Sequence, residues 1–189
     1  MASRRSSTLD DARFGDRQAL AELWRTHQAP LLRYLRSRRT PSPDDAASQV
    51  WVDVASSIGR FEGDEVDFRR WLFTIAHRRS VDQIRKDVRA SVPRASLGVR
   101  AADHAAGADA EHDEHDALDR AIALVATLPD DQAEAVMLRV VNDLPTADVA
   151  AVMETTAGNV RVLVHRGLTR LRRKISVTDA DVPAMKRVR

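Results

Sequence analysis

The chain has 189 residues and a net charge of +2, and it holds no cysteine, which excludes disulfides and cysteine-based zinc sites. Hydrophobic residues at 43% can supply a core, while charged residues at 31% and only seven glycines favour helices over sheets. No apolar run approaches the roughly 18–20 residues that cross a bilayer, and Met1 to Ser7 is not followed by the apolar segment of a signal peptide, so a cytoplasmic protein without membrane insertion is expected.

Residues 1–15 read as a disordered N-terminal tail. The first helical block covers residues 16–90. Leu20, Leu23, Trp24, Leu31 and Leu35 recur at helical spacing, with Pro30 as a kink or break. Ser42-Pro43-Asp44-Asp45 reads as a helix start, with proline near the first turn and acids placed to meet the helix dipole. Val50, Trp51, Val54 and Ile58 form that helix's apolar stripe, and Gly59 ends it. Phe61 to Glu65 reads as a loop. A long helix follows, with Phe68, Trp71, Leu72, Ile75, Ala76 and Ile84 on one face and Arg69, Arg70, Arg78, Arg79, Arg85 and Lys86 on the other.

Residues 91–116 carry Pro93, Gly98, Gly107, many alanines and little apolar bulk, and so read as a flexible linker. From Asp103 to Asp116 its charges at neutral pH are all acidic. The second block covers residues 117–176. Leu118, Ile122, Val125 and Leu128 make one stripe, and Pro129 opens a helix that packs through Ala133, Val136, Met137 and Val140. A short helix from Thr146 to Met153 comes next, then Glu154-Thr155, then a final helix with Thr156 as N-cap. Its inward positions are Val160, Val164, Leu168, Leu171 and Ile175. Residues 177–189 read as a C-terminal tail. The fold class is all-α: two small helical domains joined by a flexible linker, the second a helix-turn-helix.

Three constellations could carry function. A short apolar helix, a tight turn and a longer basic helix form the helix-turn-helix pattern, whose second helix fits the major groove. From Thr156 to Lys174 this helix has six cations and no acid, and Asn159, Val162, Leu163, Arg166 and Arg170 point outward. The competing reading is a solvated basic face on an ordinary three-helix bundle. Val162 and Leu163 on that face have three explanations: contact with thymine methyls, docking on an inhibitor or the other domain, or a rotated helix with Leu163 in the core. The second constellation is the aromatic and arginine stretch from Phe61 to Lys86, which suits single-stranded DNA; Trp71 within it reads as packing rather than stacking. The third is His104, His112 and His115 among acids. It offers metal-ligand spacing without a fixed scaffold, and a solvated linker is the better reading. No nucleophile with base and orienter, glycine-rich phosphate loop or paired buried acids has a recognisable signature.

Taken together, the blocks resemble a known family. Asp44-Asp45-Ala46-Ala47-Ser48-Gln49-Val50-Trp51 resembles the acidic helix that extracytoplasmic-function (ECF) sigma factors of the sigma-70 superfamily lay on the RNA polymerase clamp. Phe68-Arg69-Arg70-Trp71-Leu72-Phe73-Thr74-Ile75-Ala76 with Asp82 and Arg85 resembles the helix that serves the −10 element. Leu128-Pro129-Asp130-Asp131-Gln132 with Val136-Met137-Leu138-Arg139 resembles the opening of the second sigma domain. Val149-Ala150, Gly158-Asn159-Val160-Arg161 and His165-Arg166 resemble its −35 motif. The motifs stand in the family's order between about Asp16 and Ile175. The departures are Arg78 for a usual Asn, Asp148 for Glu, Glu154 for the turn glycine, and Val162-Leu163 for a polar pair.

The resemblance implies an alternative sigma factor that gives core polymerase its promoter specificity and is not itself an enzyme. It implies sigma region 2 over residues 16–90 and region 4 over residues 117–176. Core polymerase would be met through Asp44, Asp45, Gln49 and Asp53 on the β′ clamp, and through the second domain on the β flap. The −10 strand would be met by Phe61, Asp64, Arg69, Arg70, Arg78, Arg79 and Gln83. The −35 duplex would be met by Thr156, Asn159, Arg161, Val162, Leu163, His165, Arg166 and Arg170. An anti-sigma factor is an expected partner, and no cofactor or metal is implied. The rival readings are a helix-turn-helix regulator acting without polymerase, a helical anti-sigma or adaptor protein, and an enzyme built on the histidines.

Overall fold

The computed structural model describes residues 7–90 and 111–180, and its described elements are helical throughout. The first domain opens with a short helix, α1 (Thr8–Arg13), where a tail was expected. Ser7 caps it by accepting the Asp10 N–H at 3.1 Å, and Leu9 and Ala12 are buried against α2 (Arg17–Ser37). Six residues are too few to show a period, but the Ser-x-x-Asp start is a capping signal. Asp16 caps α2 by accepting from Gln18 and Ala19. Pro30 lies inside α2 and does not break it. The loss of one backbone donor there is outweighed by packing on both sides of it, with Leu23, His27, Leu31, Tyr34 and Leu35 all buried.

Helix α3 (Pro43–Ser57) begins with Pro43 at its first turn and Asp44 and Asp45 behind it, as read from sequence. It runs into one 3₁₀ turn at Ile58–Arg60, and Phe61 to Asp64 is a loop. Asp64 Oδ1 then accepts the Val66 and Asp67 N–H groups and starts α4 (Glu65–Ala90). Phe68, Leu72, Phe73 and Ala76 of α4 are buried with Leu31, Tyr34 and Leu35 of α2 and Val50 and Val54 of α3. Tyr34 meets Phe73 edge-on, at 5.3 Å between ring centroids. Ser80, fully buried on α4, shares a 2.9 Å hydrogen bond with Thr40.

The second domain starts earlier than expected. Helix α5 is Glu111–Val125, so residues 111–116 extend the helix back into the stretch read as linker. Glu111, Asp113, Glu114 and Asp116 are acids of the kind a helix N-terminus favours. Residues 91–110, with His104, lie outside the described residues, as do the side chains of His112 and His115. Helix α6 (Asp130–Val136) passes directly into a π turn at Met137–Val141. The wider turn shifts the helix phase, so Leu138 is fully buried while Val140, expected inside, is 50% exposed.

Helices α7 (Thr146–Val152) and α8 (Ala157–Ala180) complete the fold. Val160 and Leu171 are buried as expected, and Val164 and Leu168 are half-buried. Ile175 is half exposed, because α8 runs beyond the bundle to Ala180 through residues 177–180, which were read as tail. Gly167 is where α8 crosses α6: a Cβ there would lie 2.8 Å from Val136 Cγ2. The two domains pack on each other, α4 against α7 and α2 against α5 and α6.

Inside the first domain, His27 Nε2 donates to Glu65 Oε1 at 3.1 Å and its ring lies 5.3 Å from that of Phe68. Burial pushes its imidazole below the ordinary value, against the opposing pull of Glu65. The unfolded chain therefore takes up a proton at His27 that the folded chain resists, so stability is lost as pH falls through and below the ordinary histidine value. The melting temperature is expected to be flat above neutrality and to drop as pH falls from about 7 to about 5, and His27→Gln is expected to remove part of that slope in thermal melts.

Candidate nucleic-acid interface

The turn between α7 and α8 is built on strain. Glu154 has φ of 51°, in the left-handed region that glycine enters freely and other residues do not. Thr156 accepts the Asn159 N–H on its Oγ1 at 3.2 Å and so caps α8, as expected. Asn159 Nδ2 also donates to Thr155 Oγ1 at 3.0 Å, which fixes the first turn. Asn159, Arg161, Val162, His165, Arg166 and Arg170 are exposed together along α8. Leu163 is half-buried and turned toward the first domain, where it lines a cleft with Arg38, His77 and Val81. Of its three readings, docking on the other domain is the one the geometry matches.

The second surface is the start of α4 and the loop before it. Phe61 is half-buried, stacked on Trp71 at 4.9 Å and edge-on to Phe68 at 6.0 Å. The Arg13 guanidinium covers its ring at 5.2 Å and donates to the Gly63 carbonyl. Sequence reasoning missed Arg13, because it lies in a helix read as tail. Asp64 is spent on capping α4. Arg70 pairs with Asp67 at 2.8 Å and reaches Asp148 of α7 at 3.2 Å. Arg78 is exposed, Arg69 and Gln83 are half-buried, and Arg79 makes two 2.6 Å hydrogen bonds to Asp53.

The third surface is the outer face of α3. Asp45, Gln49 and Asp53 stand four residues apart on it, with Asp44 beside them. Asp44, Asp45 and Gln49 are exposed, while Asp53 is half-buried and holds Arg79. Asp53 and Arg79 were each assigned to a partner; in this structure they neutralise each other and tie α3 to α4.

A charged group that sequence reasoning did not single out is Glu134 of α6. It is 2% exposed and all its partners come from the first domain. The Tyr34 hydroxyl donates to its Oε1 at 2.6 Å, His77 Nδ1 lies 2.7 Å from the same oxygen, and the Arg38 guanidinium donates to Oε2. Burial raises the Glu134 carboxyl, but His77, Arg38 and Tyr34 together outweigh it and hold the group below its ordinary value. Burial and the Glu134 charge push the Tyr34 phenol well above its own. No sequence signal marks Glu134, since acids are common on helix surfaces.

Comparison with known proteins follows the same division. The chain matches the family profile for sigma-70 region 2 over residues 23–90 and that for sigma-70 region 4 over residues 118–171. It is 33% identical to the ECF RNA polymerase sigma factor SigD of Mycobacterium tuberculosis, across 91% of this chain and 84% of that protein. It is also 33% identical to the ECF RNA polymerase sigma factor ShbA of Streptomyces griseus, across 84% of this chain and 88% of that one. Among solved structures it is similar in fold to CnrH in complex with the cytosolic domain of CnrY, with a TM-score of 0.61, 20% identity and coverage of 92% and 96%. It is similar also to RpoE of Bartonella quintana bound to the anti-sigma factor NepR, with a TM-score of 0.59, 22% identity and coverage of 82% and 98%.

Because Glu154 holds a left-handed conformation with a side chain, Glu154→Gly relieves strain. The greater freedom of glycine in the unfolded chain offsets part of that gain. The expected result is a melting temperature unchanged or raised, by no more than about 1 kcal/mol of stability; a clear loss would show that the carboxylate makes a contact worth more than the strain.

With two sigma-70 domains in order and a third of its residues shared with SigD and ShbA along most of its length, the chain belongs to the ECF RNA polymerase sigma factors, the alternative sigma factors that direct promoter recognition.

Proposed function

We propose that the three surfaces divide the work of promoter recognition. The observation that carries this reading is the outer face of α8, capped by Thr156, basic, free of acids to Lys174 and exposed from Asn159 to Arg170. Such a helix presents cations to phosphates and side chains to base edges in the major groove. Asn159, Arg161, Val162, His165, Arg166 and Arg170 read the −35 duplex, with Leu163 joining them once the domains part. Phe61, Arg69, Arg70, Arg78 and Gln83 line the surface for an unpaired −10 base, whose flipping costs a few kcal/mol that a pocket and nearby cations offset. Arg79 supports that surface through Asp53.

Asp44, Asp45 and Gln49 form the acidic face that docks on the polymerase β′ clamp, and the second domain rests on the β flap. The polymerase performs the chemistry and this chain performs none. No described helix is long and apolar enough to cross a membrane, and the reading places the chain in the cytoplasm with the polymerase it serves. The solved neighbour RpoE was captured with an anti-sigma factor, which supports an inhibitor of that class as a further partner.

The reading is tested by transcription with core polymerase on genomic fragments, followed by mapping of start sites. Arg170→Ala is expected to weaken promoter binding across all sequences and to flatten its salt dependence, as loss of one phosphate contact does. Val162→Ser is expected to relax preference at one −35 position, by about 1–3 kcal/mol per mismatched pair. Asp45→Arg is expected to weaken co-purification with core polymerase well beyond the small loss of melting temperature that a cation in the first turn of α3 brings. Unchanged binding in all three would remove the assignment of these faces.

A further inference from the structure

We propose that the free chain is closed on itself, with Glu134 as a latch that docks the second domain on the first and keeps the promoter-reading faces from engaging DNA together. This rests on the division of −10 and −35 reading proposed above.

The contacts across the joint run one way in charge. Donors of the first domain, Tyr34, Arg38 and His77, surround the Glu134 carboxylate. Arg39 of the first domain donates from Nε and Nη2 to the Ala126 carbonyl past the end of α5, at 3.2 and 2.7 Å. Arg70 reaches Asp148 on α7 at 3.2 Å. A carboxylate buried at a chance contact would lack partners. This one has three, and Tyr34 among them is itself fully buried beside Phe73.

The closed state also touches one edge of each reading surface. Arg70 is held by α7, and Leu163 and Asn159 line a cleft of about 360 Å³ facing Arg38, His77 and Val81. Distance makes opening obligatory. Elements centred at −10 and −35 are roughly 25 base pairs apart, about 85 Å at 3.4 Å per pair. Domains joined by direct hydrogen bonds cannot span that length. Residues 91–110 add about 70 Å of reach when fully extended, and with the breadth of the two small domains, about 25–30 Å each, separated domains can.

The chain has no native cysteine, so Ala55→Cys and Ala123→Cys, both exposed and one in each domain, take spin labels cleanly. Pulsed electron resonance on the free full-length protein is expected to give one short distance. Glu134→Ala, strengthened by Asp148→Ala, is expected to move the population to long distances with helical circular dichroism unchanged. Arg38→Ala, on the opposite domain, is expected to do the same, which separates opening from local unfolding of α6. Unlabelled latch variants are expected to bind core polymerase about tenfold tighter or more, since apparent affinity scales with the open fraction. Long distances in the parent, or short ones that survive Glu134→Ala with Asp148→Ala, would overturn the latch. Opening without tighter core binding would overturn its inhibitory role. The distance measurement involves neither polymerase nor DNA, so its failure leaves the promoter assignments standing, and failure of the parent to transcribe would strike those assignments and not the latch.

Discussion

Taking a carboxylate out of water costs several kcal/mol before any partner is counted, and Glu134 meets that cost with partners supplied wholly by the neighbouring domain. Tyr34 and His77 fill one oxygen and Arg38 the other, so the ion is hydrogen-bonded on both sides. A buried ion cluster of this kind gains little net stability over an apolar contact of the same size, but it tolerates few alternative arrangements. That combination suits a joint that must hold one orientation and still come apart. The outlying contacts, Arg39 to a carbonyl and Arg70 to Asp148, are more exposed and individually weak. Among the polar contacts across the joint Glu134 is therefore the most buried, and it fixes the orientation together with the packing of α4 on α7 and of α2 on α5 and α6.

Helix α4 carries two duties on one rod. Its inward residues Phe68, Leu72, Phe73, Ala76 and Ser80 are the centre of the first domain's core. Its other faces carry Arg69, Arg70, Arg78 and Arg79. The positions of the arginines proposed to meet the −10 strand are thus set by core packing, not by loop geometry. The loop before it is braced in turn: Phe61 lies between Trp71 and the Arg13 guanidinium, and Arg13 also holds the Gly63 carbonyl. A six-residue helix at the N-terminal edge therefore helps to shape the surface assigned to the −10 strand.

Helical periodicity made most of this fold legible. The stripes Val50-Trp51-Val54-Ile58 and Phe68-Leu72-Ala76 are buried as read, because a long helix repeats its pattern often enough to fix its phase. The Thr156 cap was legible as local chemistry, whereas the left-handed turn at Glu154 was hinted at only by the glycine that the family usually has there. What failed was whatever a period does not encode. The π turn at Met137–Val141 adds to the turn without a sequence mark, and so exchanged Leu138 for Val140 in the core. Of the candidate site residues, the exposed basic face of α8 was readable from charge alone. The pairing of Asp53 with Arg79 was not, since it depends on how α3 and α4 cross. The burial of Glu134 was invisible, because its partners are about 57 to 100 residues away in the chain.

The positions where the sequence departs from the family pattern gather at the domain joint. Asp148 takes the hydrogen bond of Arg70. Glu154 and Arg78 line one cleft with His77, Val81 and Arg85. Leu163 and Glu154 line the next with Arg38 and Glu134. Only Val162 of the departing residues points away, 43% exposed on the outer side of α8. Four of the five departures therefore lie at the joint, where they bear on how the two domains pack, and one lies on the outer face of α8.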